Sequence, residues 1–170
     1  WCRPRHVFLL AASYFFYGCW NAKYLILIVF STVLDFGIGL ALYAERRPGR
    51  RKLLLAASLV GNLGVLAIFK YYNFFSESLE AFLDGMGLHG TLPYLDVLLP
   101  VGISFYTFQT LSYTIDIYRR KLRPTRDVVD FALFVAFFPQ LVAGPIVRAS
   151  HFLPQLSKEK PVVEERIGIG

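Results

Sequence analysis

Two stretches in the second half of the chain decide its fold: Leu99-Pro100-Val101-Gly102-Ile103-Ser104-Phe105-Tyr106-Thr107-Phe108-Gln109 and Phe138-Pro139-Gln140-Leu141-Val142-Ala143-Gly144-Pro145-Ile146-Val147-Arg148. Both place proline, glycine and polar side chains inside sequence that is apolar enough to enter a membrane. Lipid offers no hydrogen-bond partner to an unpaired backbone group, so interrupted helices at membrane depth occur where protein surrounds them or where they line a cavity. These stretches therefore predict a site within a membrane protein, because a plain anchor would need none of these residues.

The composition of the whole chain also indicates a membrane protein. Of its 170 residues, 55% are hydrophobic and 16% are aromatic, and the mean hydropathy is +0.48. Several apolar runs approach the roughly 20 residues that a helix needs to cross a bilayer. We therefore predict an all-α, polytopic membrane protein with about four transmembrane helices. Residues 1–170 are predicted to be part of one membrane domain, with no separate soluble domain.

The apolar runs divide the chain into five segments, which we place at residues 7–20, 24–44, 53–69, 98–117 and 128–147. Pro139 and the Gly144-Pro145 pair predict that the fifth segment is broken, and whether it crosses or re-enters the membrane stays open. Between the third and fourth segments, Glu77, Glu80 and Asp84 recur at helical spacing. Apolar residues lie between them, so this region predicts an interfacial helix followed by a loop.

The positive charge is concentrated between the apolar segments. The net charge is +6, and ten of the 18 basic residues form two clusters: Arg46, Arg47, Arg50, Arg51, Lys52, and Arg119, Arg120, Lys121, Arg123, Arg126. Short cytoplasmic loops of membrane proteins carry such an excess of Lys and Arg. With Arg3 and Arg5, this rule predicts a cytoplasmic N-terminus. The same placement argues against nucleic acid as a partner, since a nucleic-acid surface is usually a basic face on a soluble domain.

Several familiar kinds of active site are excluded by the sequence. Cys2 and Cys19 are the only cysteines, which leaves no disulfide framework and no CxxC metal site. No GxSxG, HExxH, P-loop or GxGxxG motif occurs. We predict neither a metal nor a bound cofactor. His151 is the only histidine near the broken segment and is a candidate general base, with an interfacial position as the alternative.

Polar residues inside the apolar segments are the other candidates for function. Asp35 lies midway along the second segment, where a carboxylate costs roughly 2.5–3.5 kcal/mol; a functional role and a hydrogen bond to another helix are both open. In the fourth segment, Gln109, Ser112 and Asp116 fall on one face, with hydroxyl residues on the opposite side. This helix is therefore predicted to be surrounded by protein, through helix packing or by lining a pocket in which Gln109 takes part.

Five motifs resemble those of the membrane-bound O-acyltransferase (MBOAT) family, and in particular its alginate O-acetylation branch. They are Tyr17-Gly18-Cys19-Trp20-Asn21, Lys70-Tyr71-Tyr72-Asn73-Phe74-Phe75, Leu99 to Gln109, Tyr113-Thr114-Ile115-Asp116-Ile117-Tyr118-Arg119, and Phe138-Pro139-Gln140-Leu141-Val142-Ala143-Gly144-Pro145-Ile146. The last three are specific in their order and spacing. The resemblance covers most of residues 7–156.

The resemblance implies the N-terminal half of an enzyme that transfers an acyl group, in this branch acetyl, to hydroxyls of an extracytoplasmic polysaccharide such as alginate. It implies a multi-pass protein of the bacterial cytoplasmic (inner) membrane, a ring-shaped helical bundle with a central funnel. The acyl donor would be acetyl-CoA or another acyl thioester. The partners would be the lipid bilayer, extracytoplasmic acetyl-transfer proteins or an acyl carrier protein, and the polysaccharide acceptor.

The same resemblance suggests roles for individual residues. The family's catalytic histidine lies in a later motif that nothing here matches, so no catalytic residue is expected in this chain. Residues expected to form the funnel wall or shape its backbone are Tyr106, Gln109, Pro139, Gly144 and Pro145. Arg148 is expected to bind an anionic group near the cytoplasmic mouth. Alanine at Gln109 or Arg148 is expected to reduce acylation while leaving the protein folded.

Two other classes of protein remain as alternatives. A secondary transporter also uses broken helices near the middle of the membrane, but it would need a paired copy of the broken pattern, and this stretch contains no internal repeat. A non-catalytic scaffold subunit would bind a partner through residues 71–97.

Overall fold

The computed structural model describes residues 2–87, 100, 102–144 and 147–157, and this part of the chain is helical without strands. The all-α prediction is confirmed. The helices are α1 (Cys2–Asn21), α2 (Leu25–Ala44), α3 (Pro48–Gly85), α4 (Ile103–Tyr118), α5 (Val128–Ala136), α6 (Phe138–Ala143) and α7 (Ala149–Ser157), with a 3₁₀ turn at Ala22–Tyr24 between α1 and α2.

Two helical stretches are long and apolar enough to cross a membrane. They are Arg3–Ala44, which contains the 3₁₀ turn, and Pro48–Tyr72. Large apolar side chains on α2 face outward, among them Ile26 and Val33 at 70% and 64% exposure, as expected of a surface that contacts lipid. Helix α4 has 16 residues and is about 24 Å long, which is shorter than the roughly 30 Å of hydrocarbon. Residues 98 and 99 of the fourth segment lie outside the described residues, so the number of crossings stays a prediction.

The predicted interfacial helix is not a separate element. Helix α3 runs without interruption for 38 residues from Pro48 to Gly85, a length of about 57 Å, and so includes both the third apolar segment and the acidic region. The helical spacing of the acidic residues is confirmed, but the prediction that their helix is separate from the third segment was wrong. Residues 65–84 contain neither proline nor glycine, and nothing in them ends a helix. The loop predicted after this helix lies largely outside the described residues.

Helices α2, α3 and α4 pack against one another, and α5 packs against α1 and α2. Gly39 lies where α2 contacts α4. A Cβ atom there would lie 2.8 Å from Cε1 of Tyr113 and 3.2 Å from Cδ1 of Ile117. Small residues commonly allow such close contacts between helices in membranes. Gly39 thus determines how tightly α4 can lie against α2.

Replacing Gly39 by alanine is therefore expected to destabilise the protein by about 1–3 kcal/mol, the usual effect of an added methyl group in a packed core. Gly37 on the same helix is the matched control, because a Cβ there meets nothing within 4 Å. Gly37→Ala is expected to be neutral or to stabilise the helix by up to about 1 kcal/mol. Thermal denaturation of the full-length protein in detergent measures both. Equal melting temperatures for the two variants would contradict the packing argument.

Candidate functional site

The fifth segment is broken, as predicted from its sequence. Helix α5 ends at Ala136, Phe137 leaves the helical conformation with φ −59° and ψ 103°, and α6 begins at Phe138. Pro139 lies in the first turn of α6, where the N–H that proline lacks would have no helical partner. The proline therefore starts a new helix after the break.

Neighbouring helices supply the hydrogen bonds that the break leaves unmade. The last carbonyls of a helix have no partner within it. The amide of Gln109, on α4, donates from Nε2 to the carbonyl oxygen of Phe134 near the end of α5 over 2.5 Å. From α1, Oγ of Ser13 accepts from the N–H of Phe138 over 3.4 Å. Two polar groups at the half-buried break are thus paired by neighbouring helices, as irregular backbone in a membrane protein requires.

The position that ends α6, Gly144, requires glycine because there is no room for a side chain. Its φ angle alone would allow other residues. Its backbone is extended, with φ −90° and ψ 155°, and its N–H donates to the carbonyl of Gln140. A Cβ atom at this position would lie 2.7 Å from Cα of Gln140, too close for any side chain. The turn after α6 is therefore restricted to glycine.

The first of the two deciding stretches also contains a glycine-dependent turn. Gly102 precedes α4 with φ +77°, a conformation that side chains disfavour and glycine adopts readily. The N–H of Ile103 donates to the carbonyl of Pro100 over 3.2 Å. Helix α4 consequently begins at Ile103, five residues later than the start of the predicted segment.

The predicted site residues occupy different environments. Tyr106 is fully buried on α4, one turn before Gln109, and its hydroxyl has no hydrogen-bond partner among the described residues. Pro139 is exposed on α6, whereas Arg148 and His151 are exposed at the start of α7. The structure thus brings Gln109 to the end of α5 and places Gly144 at the end of α6. Pro145 lies outside the described residues. The assignment of six residues to a funnel stays a prediction: Tyr106, Gln109, Pro139, Gly144, Pro145 and Arg148.

Asp35 lies in a buried polar cluster that joins three helices. One carboxylate oxygen accepts from Ser58 Oγ on α3 over 2.6 Å, and the other accepts from Asn62 Nδ2 over 2.8 Å. Helix α4 completes the cluster, since Ser58 Oγ lies 3.1 Å from Oγ1 of Thr114 and Thr110 Oγ1 donates to Oδ1 of Asn62 over 3.5 Å. The hydrogen bond to another helix, one of the two alternatives for Asp35, is therefore confirmed.

Helix α4 presents polar groups to two different neighbours. Gln109 reaches α5, whereas Thr110 and Thr114 reach the cluster around Asp35. This confirms that the polar residues of α4 face protein on two sides, whereas Phe105 and Phe108 on the same helix are exposed. Sequence reasoning missed Ser58 and Asn62, although a signal was present: they are four residues apart in an apolar segment and therefore share one helix face.

Arg51, placed by the sequence among the loop charges, is instead a buried contact between two helix ends. Its guanidinium donates to the carbonyls of Leu42 and Glu45 at the end of α2. It also donates to Ile117 and Tyr118 at the end of α4, over 3.3 and 2.8 Å. Both helix ends carry partial negative charge and unpaired carbonyls. No feature of the cluster Arg46–Lys52 distinguishes this arginine in the sequence, because its role depends on where α4 ends.

The N-terminus is fixed to the start of α5 by polar contacts. His6 is buried, and its Nδ1 lies 2.7 Å from Oδ1 of Asp130. The Asp127 side chain accepts from the N–H of Val129 over 2.9 Å and caps α5, and its other oxygen lies 3.7 Å from Arg3. The loop that follows α4 and the N-terminus therefore lie at the same end of the bundle.

Both basic clusters also contribute to one end of the bundle. Arg46 and Arg51 from the first cluster line a cavity together with Arg120 and Arg123 from the second. Glu45 lies at its edge, where the N–H groups of Arg47 and Arg46 and the Arg50 guanidinium lower the pKa of its carboxyl group. The prediction that the two clusters share one side of the protein is confirmed.

Comparison with known proteins gives three informative relatives. The chain is 40% identical over 168 residues to "Probable alginate O-acetylase AlgI" of Pseudomonas syringae pv. tomato. The aligned region covers 96% of this chain and 32% of the relative. The protein of the same name from Azotobacter vinelandii is 42% identical over 158 residues, with coverages of 91% and 31%. "Peptidoglycan O-acetyltransferase" of Helicobacter pylori is 34% identical over 173 residues, with coverages of 88% and 32%.

No family model matches the chain, and no solved structure matches it. The chain spans about a third of the length of the curated relatives. The similarity extends over 88% or more of this chain in all three cases, and the all-helical structure with its long apolar helices agrees with it. The chain is a membrane protein and belongs to the membrane-bound O-acyltransferase family.

Proposed function

We propose that the chain forms part of a membrane O-acyltransferase that transfers acetyl groups to hydroxyls of an extracytoplasmic polysaccharide such as alginate. The observation that carries the proposal is the similarity to relatives named for O-acetylation of alginate and of peptidoglycan. The break between α5 and α6, held by Gln109 from α4 and Ser13 from α1, supports it, because a chain that only anchored an enzyme would need no irregular backbone.

The proposed reaction is acyl transfer from a thioester, acetyl-CoA or the thioester of an acyl carrier protein. A general base outside residues 1–170 removes the proton of the acceptor hydroxyl as its oxygen attacks the thioester carbonyl. The C–S bond then breaks, the ester forms, and the leaving thiolate takes the proton from the base. The helices described here would form one wall of the funnel, with Tyr106 and Gln109 inside the bundle. Arg148, exposed at the start of α7, would bind an anionic group of the donor at the mouth.

We further propose that the end carrying both basic clusters faces the cytoplasm of the bacterial inner membrane. Cytoplasmic loops are enriched in Lys and Arg, and Arg3 at the N-terminus shares this end through its contact with Asp127. Extracytoplasmic acetyl-transfer proteins would then receive the acetyl group on the opposite side.

Deletion of the full-length gene tests the proposed activity directly. The O-acetyl content of the cell's exopolysaccharides and peptidoglycan is measured in the parent, the deletion strain and the strain complemented with the wild-type gene. We expect one polymer to lose its acetyl esters and to regain them on complementation. Unchanged acetylation of every polymer would overturn the proposal.

Gln109 variants test the role of the break in the same strain. Because the buried amide holds the carbonyl of Phe134, its loss leaves that group unpaired, at a cost of about 1–3 kcal/mol. This changes the expectation from the sequence: Gln109→Ala should reduce both the amount of folded protein and acetylation, whereas Arg148→Ala should reduce acetylation alone. Ser150→Ala, at an exposed position on α7, serves as the control. If the Gln109→Ala variant acetylated the polymer fully, the proposal that Gln109 is part of the funnel would be wrong.

A further inference from the structure

The cavity at the basic end of the bundle has the chemistry of a phosphate site. It has a volume of about 360 Å³ and is lined by Tyr43, Glu45, Arg46, Arg51, Ile117, Arg120, Leu122 and Arg123. One water molecule occupies roughly 30 Å³ in the liquid, so a tetrahedral anion fits together with several waters. Four arginines against one glutamate give the lining a strong positive charge.

Two charged groups of the lining, Glu45 and Arg51, already have other partners. Glu45 accepts from the backbone N–H groups of Arg46 and Arg47 and lies 3.6 Å from Arg50. The Arg51 guanidinium is held by the carbonyls at the ends of α2 and α4. The Glu45 carboxylate is therefore paired with groups other than the three remaining guanidinium groups of the cavity, and the Arg51 guanidinium is occupied by carbonyls.

Three guanidinium groups consequently remain without a counter-charge. Within the described residues, no carboxylate lies within 4.0 Å of Arg46, Arg120 or Arg123. They come from two loops that are distant in sequence, and all three side chains are exposed where they line the cavity. Planar guanidinium groups bind phosphate oxygens in a bidentate manner, so an anion with several oxygens would neutralise all three.

The backbone at Arg120 supports this interpretation. Arg120 has φ +58° and is the only non-glycine residue with positive φ among the described residues. It follows α4, where its N–H donates to Ile117 and that of Lys121 donates to Asp116, the hydrogen bonds of a helix end that usually has glycine at this position. An arginine here is disfavoured by the backbone, while its side chain contributes to the cavity.

The surroundings of the cavity indicate the source of the anion. Tyr43, which lines it, is 55% exposed on α2, and the same helix exposes Ile26, Val29 and Val33 further along. The cavity therefore lies at one end of the helix that carries this exposed apolar surface. Basic pockets at this level of a membrane protein bind the head groups of anionic lipids.

We propose that Arg46, Arg120 and Arg123 bind the phosphate of an anionic phospholipid whose acyl chains lie against α2. This site goes beyond the proposed acyl transfer and requires only that the chain lies in a membrane.

Lipid retention by the purified full-length protein tests the site. The protein is exchanged into mixtures of phosphatidylglycerol and phosphatidylcholine, and native mass spectrometry measures the lipid that stays bound. The triple variant Arg46→Gln, Arg120→Gln, Arg123→Gln is expected to retain at least tenfold less phosphatidylglycerol than the wild type. The control variant Arg47→Gln, Arg119→Gln, Lys121→Gln removes the same charge from positions of the same loops that do not line the cavity, and it should retain the lipid fully. Equal losses in the two variants would overturn the proposal.

Two further measurements keep the test decisive. Arg120→Gly relieves the positive φ, so it should melt no lower than the wild type and yet retain less phosphatidylglycerol; undiminished retention would overturn the proposal. Inorganic phosphate added without lipid distinguishes the source. Phosphate could raise the melting temperature of the wild type and not that of the triple variant, while phosphatidylglycerol is not retained. In that case the three arginines bind a soluble phosphate and not a lipid. If neither binds, the site does not exist.

Discussion

Replacing Arg51 by methionine is expected to remove most of the folded protein from the membrane. The buried guanidinium donates to carbonyls at the ends of both α2 and α4, and its centre lies 5.5 Å from the ring of Tyr118. A hydrogen bond to a charged group contributes roughly 1.5–3 kcal/mol, and each buried acceptor left unpaired adds a further cost. Methionine fills much of the same space but donates nothing. The expected loss of stability is therefore about 3 kcal/mol or more.

The geometry of the guanidinium, and not only its charge, explains the size of this effect. Two helices end at the same point, and each presents carbonyls and the negative end of its dipole. One planar group with five donors can serve both ends, whereas an ammonium group is a single point charge. Arg51→Lys is accordingly expected to recover less than half of the lost stability, although it keeps the net charge.

The measurement is the melting temperature and yield of the full-length protein in detergent. Lys52→Met is the matched control, because Lys52 is the exposed neighbour on the same turn of α3, and it should behave as the wild type does. If Arg51→Met and Lys52→Met melted together, the contact between the two helix ends would contribute no stability.

The contrast between Arg51 and the broken segment indicates what sequence alone could predict. Pro139 and Gly144 act through their own backbone geometry, so the break they cause is local and was predicted within a few residues. The partners of the break, Gln109 and Ser13, lie on other helices. Gln109 was selected for its polarity in an apolar segment, but its bond to Phe134 depends on packing between α4 and α5.

The same distinction between local features and contacts across the fold applies to helix α3 and to His6. The continuity of α3 through the acidic region could have been predicted, because no helix breaker lies between residues 65 and 84; the change in composition was given too much weight. The pairing of His6 with Asp130 could not, since 124 residues separate them. The resemblance to a family gave the fold class and the proposed chemistry, but it contained no information about these contacts.

Asp35→Ala is expected to have the second-largest effect on stability. Alanine leaves the Ser58 hydroxyl and the Asn62 amide buried without the carboxylate oxygens that now accept from them. An unpaired buried group costs about 1–3 kcal/mol. Because Asn62 Nδ2 still donates to the Ser58 carbonyl and the Ser58 hydroxyl still lies 3.1 Å from Thr114 Oγ1, we expect a loss of about 2–4 kcal/mol, below the full cost of two unpaired groups.

Thr32→Ala is the comparison on the same helix, because Thr32 is buried there, its hydroxyl donates to the carbonyl of Ile28, and its one side-chain partner on another helix is the half-buried Tyr14 on α1. Its loss should cost about 1 kcal/mol, less than that of the Asp35 carboxylate.

Asp35→Asn separates the structural role of this residue from a chemical one. An amide has the shape of the carboxylate and keeps one oxygen to accept from Ser58, and its own N–H groups can bond to Oδ1 of Asn62 after that side chain flips. The variant should therefore lose only about 1 kcal/mol. If the cluster serves to hold α2, α3 and α4 together, Asp35→Asn should acetylate polysaccharide at close to the wild-type rate in the full-length protein. A variant that melts near the wild type and yet transfers no acetyl groups would show instead that the reaction requires the carboxylate, because the amide preserves the packing and removes only the ability to ionise.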